Sequence, residues 1–366
     1  MNVDAWLAPP LVVPAPWLPP GAGGGQIKAT PDDFWVEEIP AYLPCGEGDF
    51  HYLWVEKVDL SGPALTRVIA ERLALPYDAV GLAGLKDRHA RTRQWVSVPA
   101  SVVRPLEAIS GPWGGTGEVR LLAASRHTNA LKTGHLRGNR FVLRVRGRDP
   151  VDDAAFAEGL ARAAERGFPN AFGAQRFSGG DTIARGLKML AGKSGGPPRL
   201  ARLAASAVQG AFFNHWLAAR AADGLFETAV DGDVLVKRES GGVFICDTPA
   251  ADTPRLAAGE IAVTGPLPGS RPSRALRAAL QREIAVHGAL GSTAEAFAAL
   301  RRLGRGARRA ALAWPADASV AREGDELVVR FALPAGSYAT VLMAQLAGPS
   351  LVVGAEEEPV DEGESA

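Results

Sequence analysis

Cysteine is almost missing from this chain of 366 residues: Cys45 and Cys246 are the two, far apart and without ligand-spaced neighbours. That scarcity argues against a disulfide framework and a zinc site, and it points to a reducing compartment. Net charge is missing too, since 40 Lys and Arg balance 40 Asp and Glu. No apolar run is long enough to span a bilayer. The Pro-rich stretch over 1–25, broken by Pro9, Pro10, Pro14 and Pro16, lacks the basic start of a signal peptide. A cytoplasmic protein without membrane contact is expected. What is present, 47% hydrophobic and 22% charged residues, is the composition of a folded chain with room for two domains or one elaborated domain.

The zero balance hides an uneven distribution. Between Lys86 and Arg148 stand thirteen Lys or Arg against three acids, Asp87, Glu107 and Glu118. A local field of that sign suits a nucleic-acid partner even on a neutral chain. Compensating acids include Glu356, Glu357, Glu358, Asp361, Glu362 and Glu364, so 351–366 reads as an acidic disordered tail. The stretch over 1–25 reads as a flexible N-terminal segment.

Alternation of apolar and polar residues predicts strands over 34–39, 51–57, 79–83, 94–98 and around Phe141, Leu143 and Val145. Ser61 is placed to cap a helix over 63–73, and a second helical run covers 153–166. From about Gly167 the chain turns Ala-rich and helical, for example over 202–222, and strand patterning returns at 326–331. A mixed, mainly antiparallel sheet with helices is expected, an α+β fold whose core is interrupted by an inserted helix-rich domain.

The polar loop between two of these strands carries the chemistry. It reads Gly84-Leu85-Lys86-Asp87-Arg88-His89-Ala90, and its one carboxylate is surrounded by Lys86, Arg88, Arg91 and Arg93. Nearby cations favour the charged form of a carboxylate, and an ionised Asp on a loop held by strands is able to act as a nucleophile. By residue type alone the same run is also a solvated hairpin tip with weak local ion pairs.

Ala83 to Ala90, with Thr92 and Gln94-Trp95 beyond, resembles the catalytic motif of the TruD family of tRNA pseudouridine synthases. Arg137-Gly138-Asn139-Arg140-Phe141 resembles the family's Gly-Asn-x-Phe motif, and Gly167 to Phe177 its G-x-P-N-x-F-G-x-Q-R-F signature. Lys28 and Phe34 match the family's opening K-x-x-P-x-D-F, and Leu333-Pro334-Ala335-Gly336-Ser337-Tyr338-Ala339-Thr340 a late segment. The matches span 28–346. The chain departs from the pattern at Met343-Ala344-Gln345-Leu346, where an Arg and a Glu are lost.

The resemblance implies an isomerase that converts uridine to pseudouridine, at position 13 of tRNA, with no cofactor and no metal. It implies Asp87 as the catalytic residue, and Phe141, Asn139, Lys28 and Phe34 as substrate-binding residues. Phe141 would stack on the flipped uracil, and Lys28 would support the charge on Asp87. Lys86, Arg88 and Arg176 would meet RNA, while His89 ranks lower as a proton carrier. By residue type, Phe141 is equally a core residue of its strand, and 167–177 equally a domain junction. The domains implied are 26–166 and 313–350 as catalytic core and 167–312 as the insertion. tRNA is the one partner implied, with no protein partner.

Three other readings remain: a synthase for another RNA or position, a non-catalytic RNA-binding protein, and a dinucleotide-dependent oxidoreductase. The last lacks its fingerprint, because neither Gly-rich stretch, 21–25 nor 111–115, follows a strand and opens a helix. The basic run from Arg301 to Arg309 either lines an RNA-facing cleft or forms a solvated face.

Overall fold

The computed structural model describes residues 3–6, 24–177, 180–271 and 274–354. Its alternating segments form the strands Phe34–Pro40, Phe50–Val58, Arg91–Pro99, Leu136–Val145 and Glu326–Pro334, all in one nine-stranded sheet. From one edge the order is Ala316–Glu323, Glu326–Pro334, Leu136–Val145, Phe34–Pro40, Arg91–Pro99, Phe50–Val58, Gly117–His127 and Gly111–Trp113. The two-residue strand Gly81–Leu82 pairs beside Arg91–Pro99. Within this sheet Phe34–Pro40 runs parallel to Arg91–Pro99, and the other pairings are antiparallel. This is the mixed, mainly antiparallel α+β fold expected.

The strand expected over 79–83 shortens to Gly81–Leu82. Tyr77–Ala79 turns as a 3-10 helix, and the Ala83 carbonyl accepts from Gly134 N–H instead of a strand neighbour.

Register decides what each face of the sheet carries. Val36 stands opposite both Phe141 and Thr92, and Thr92 opposite Lys57, so these side chains share one face. Two apolar clusters cover that face. At one end Phe34, Phe141, Leu143 and Phe331 pack with Phe156 and Leu160 of helix Asp153–Arg166 and with Leu342 and Met343 of helix Ala339–Ala347. At the other, Leu53, Val55, Val96 and Val98 meet Leu65, Val68, Ile69 and Leu73 of helix Gly62–Leu73. Ser61 caps that helix by accepting from Ala64 N–H. The opposite face of the sheet carries Glu37, Glu56, Arg91, Arg93 and Arg140.

Between Phe168–Pro169 and Leu312–Ala313, two short strands that pair antiparallel, the chain builds a second core. Phe212, Phe213, Trp216 and Leu217 of the long helix Pro198–Ala222 pack there with Leu235, Ile261 and Val263. Besides the expected helices this region holds a four-stranded sheet of Val243–Ile245, Val234–Lys237, Ile261–Leu267 and Ala307–Ala310.

Parts of the two expected terminal segments are structured. Val3–Trp6 is helical, and Trp6 is buried in the second core, with its indole N–H donating to the Leu290 carbonyl. Leu351–Val353 forms a strand because Gly25–Ile27 supplies parallel backbone partners. The rest of both segments, 1–2, 7–23 and 355–366, lies outside the described residues. Among the described residues no helix is long and apolar enough to cross a membrane.

Candidate active site

The Asp87 loop lies over the covered face of the sheet, between the two apolar clusters. Lys57 reaches it from below and donates to the Asp87 main-chain carbonyl at 2.7 Å. Lys28, held at φ 57° just before the Phe34 strand, places Nζ 3.2 Å from Asp87 Oδ1. The Lys28 side chain is 8% exposed and that of Asp87 31%, so the carboxylate is reachable while its cation lies beneath it. Lys28 Nζ also stands 4.1 Å from the centre of the Phe34 ring, a cation–π contact in a desolvated place. His89 Nδ1 lies 3.4 Å from Asp59 Oδ1 at the far end of the loop.

The structure therefore brings Asp87, Lys28 and Phe34 together, with Phe34 1% exposed and its ring against Lys28. Phe141 is 5% exposed, with its ring edge-on to Phe34 at 6.0 Å and stacked on Phe331 at 5.4 Å. It is a core ring, and a base stacks on it only where that cover is withdrawn. Asn139, two residues along the strand, has a buried Oδ1 with no hydrogen-bond partner among the described residues. An orphaned acceptor of this kind is costly and marks a place where a ligand donor is welcome.

Lys86, expected to meet RNA, is buried at 7% exposure. Its Nζ sits 2.7 Å from Glu38 Oε2 with both side chains nearly fully covered, so it anchors the loop to the sheet. Arg88 is half-buried, and its charge is among those that favour the Asp59 carboxylate. Arg176, on the turn Ala174–Arg176, donates to Ser206 Oγ and lies 5.7 Å from the Phe172 ring.

Two groups carry more than their sequence signals suggest. Tyr338 stands in a matching segment to which no role attaches by residue type. Burial raises its phenol above the usual range; Arg176 and Arg309 pull it down, and the nearby Asp87 charge pushes it up again. Tyr338 thus joins Arg176 electrostatically to the Asp87 site. Lys57 has one signal, a cation at an inward position of an alternating strand.

The basic segment over 86–148 is largely neutralised by acids from elsewhere. Arg91, Arg93 and Arg120 converge on Glu56 at 3.0, 2.9 and 2.7 Å. Arg140 pairs with Glu37, Arg144 with Glu326 and Arg146 with Asp33. In the run from Arg301 to Arg309, Arg308 binds Glu283 and Thr264, and Arg309 binds both the carbonyl and the side chain of Asn170. Burial pushes Arg309 down to about 10. Those two arginines are structural, while Arg301, Arg302 and Arg305 are exposed.

A cleft of ≈ 690 Å³ opens where the second core meets the large sheet. Arg137, Lys237, Arg238, Asn170, Arg309 and Ser337 are among its walls, and Asp87 is not. Among the described residues no group of three His, Cys, Asp or Glu would hold a metal ion.

The sequence matches the family model described as tRNA pseudouridine synthase D (TruD) over residues 19–196 and 188–346. A tRNA pseudouridine synthase D of Anaeromyxobacter sp. (strain Fw109-5) is 42% identical over 351 residues, covering 94% of this chain and 97% of that protein. One of Thermus thermophilus is 40% identical over 346 residues, covering 94% of each. A solved structure from Methanosarcina mazei, described as a TruD protein, shares the fold. Its TM-score is 0.66 at 22% identity, over 89% of this chain and 94% of that one.

Proposed function

The chain belongs to the TruD family of tRNA pseudouridine synthases, and from that premise we propose that it isomerises uridine to pseudouridine at position 13 of tRNA with Asp87 as the catalytic carboxylate. The Asp87–Lys28 pair carries this reading: an accessible carboxylate over a buried cation, on a loop pinned from below. In the reaction the bond between uracil N1 and ribose C1′ breaks, the uracil turns, and C5 bonds to C1′. The C5 hydrogen leaves as a proton and N1 gains one, so nothing is oxidised or reduced. Asp87 acts on the sugar or the base, and each route needs an ionised carboxylate at this place.

The uridine must first leave its stack, at a cost of a few kcal/mol. Asn139 Oδ1 supplies an acceptor for a donor on the flipped base. Phe141 lies in the aromatic floor beneath, and Arg88 and Arg176 approach the RNA backbone. Residues 26–166 and 313–350 serve as the catalytic core and 167–312 as the insertion, a division supported by the pairing of Phe168–Pro169 with Leu312–Ala313. A tRNA substrate supports a cytoplasmic location.

The test is tritium release from unmodified tRNA labelled at uridine C5, followed by mapping of the product. Wild type should release tritium from position 13 and Asp87→Ala should not. No release by wild type overturns the activity, release by Asp87→Ala overturns the role of Asp87, and product elsewhere overturns the position.

A further inference from the structure

Lys57 enters the covered face of the sheet from strand Phe50–Val58 and is 0% exposed. A buried lysine is costly unless its charge is met. Here the ammonium donates to two main-chain carbonyls, Leu60 at 2.6 Å and Asp87 at 2.7 Å. Thr92 stands directly opposite on the next strand, and Gln94 lies two residues along on the same face. Both are fully buried, and Thr92 Oγ1 and both Gln94 amide atoms lack a hydrogen-bond partner among the described residues. A polar patch thus interrupts an apolar face directly under the candidate catalytic loop. For the core alone, apolar side chains of similar volume would fill this place at lower cost.

Pinning a residue's own carbonyl limits rotation about its backbone, and so fixes where its side chain leaves the chain. Small errors in the direction of a reacting group are expensive in rate. We propose that Lys57 is a positioning residue: as an ammonium it grips the Asp87 carbonyl, sets the direction of the Asp87 carboxylate and adds a second buried cation beside it. The inference rests on Asp87 being the catalytic carboxylate.

The charges facing Lys57 come from three neighbouring segments: Asp87 and Lys86 from the loop, Asp59 from just past the end of its own strand, and Lys28 from before the Phe34 strand. His89, hydrogen-bonded to Asp59, is the nearby imidazole. Burial pushes Lys57 down to about 7, Asp87 and Asp59 pull it up, and Lys86 and Lys28 push it further down. The gripping ammonium therefore dominates below that pH and is lost above it, so the rate falls as pH rises through it.

The experiment compares wild type with Lys57→Met, each as the full chain, by single-turnover tritium release across about pH 6 to 9, with tRNA affinity by filter binding and the folded fraction by circular dichroism. For the folded fraction of Lys57→Met we expect a rate at least about 10-fold lower, tRNA affinity within about twofold, and no falling limb near neutral pH. A lysine that only fills space would lower the folded fraction and leave the rate per folded molecule and the limb unchanged; that result overturns the proposal. Should the Met variant not fold, Lys57→Gln, which keeps a donor but cannot titrate, is expected to lose the same limb. A wild-type rate that stays level across the range overturns the proposal without any variant. Wild type releasing no tritium at any pH takes down the pseudouridine reading as well, so the two failures are told apart.

Discussion

Lys86 and Glu38 form an ion pair of 2.7 Å in which the side chains are 3% and 0% exposed. One residue before the candidate catalytic carboxylate, a cation has turned into the sheet. Glu38 also stands 3.4 Å from the Trp95 N–H through its other oxygen, so the pair ties the Asp87 loop to two strands at once.

Removing one partner of a pair this deeply buried leaves an uncompensated charge. Glu38→Ala should lower stability by about 3–5 kcal/mol, read from urea unfolding. Lys86→Met should be similarly costly. The salt dependence of tRNA binding by the folded Lys86→Met fraction should nevertheless match wild type, because no phosphate contact has been lost. A shallower salt slope would return Lys86 to the RNA.

Glu56→Gln should release Arg91, Arg93 and Arg120. Burial alone would raise the Glu56 carboxyl, but the Arg93 hydrogen bond and the charges of Arg120 and Arg91 outweigh it and hold it below the usual carboxylate range. A depressed carboxyl contributes stability above its unfolded value, about 4.3, and that contribution is lost as pH falls through the folded value. Wild type should therefore lose more stability than Glu56→Gln on acidification below about pH 4, measured by thermal unfolding. At neutral pH the variant should bind non-cognate RNA more tightly and with a steeper salt slope.

Gly138→Ala should damage the site from a distance. A Cβ at this position would lie 2.2 Å from the Leu333 carbonyl oxygen, so the strands Leu136–Val145 and Glu326–Pro334 must part beside Asn139. We expect a loss of about 1–3 kcal/mol in stability, together with a tritium-release rate that falls although Asp87 and Lys28 are intact.

Asn170 ties the second core to the large sheet. Its side chain accepts from Arg309 at 2.6 Å and from Ser337 at 3.0 Å, and donates to the Ala310 carbonyl at 3.1 Å. Asn170→Ala should cost about 2–3 kcal/mol through the partners it strands. Hydrogen exchange should quicken around Ala310 and Ser337 and leave the Gly62–Leu73 helix unchanged.

Local signals were readable in the chain. Alternation placed Phe34–Pro40 and Phe50–Val58 within a residue or two, and Ser61 marked its helix, because strand faces and caps depend on near neighbours. The motif around Asp87, with Lys28, carried the centre of the candidate site, the pair at 3.2 Å. The partners of the cations were hidden. Glu56 for Arg93 follows from register between strands far apart in sequence, and Glu38 for Lys86 from where the loop folds over the sheet, so a stripe that reads as basic is mostly paired. Phe141 shows the same limit, since alternation says that it faces inward but not that Phe34 and Phe331 close over it.

The strand that carries Asn139 is flanked by Phe34–Pro40, made before it, and by Glu326–Pro334, made long after; at Arg144 and Glu326 the gap along the chain is 182 residues. On the ribosome, at about 5–20 residues per second, one edge of that strand waits about 10–40 s for its neighbour. During that wait residues 168–313, which supply most of the second core, are synthesised and are free to fold first. The nascent chain thus carries that strand with one edge unpaired for about half of its synthesis, an edge open to pairing with another chain until the last strand arrives.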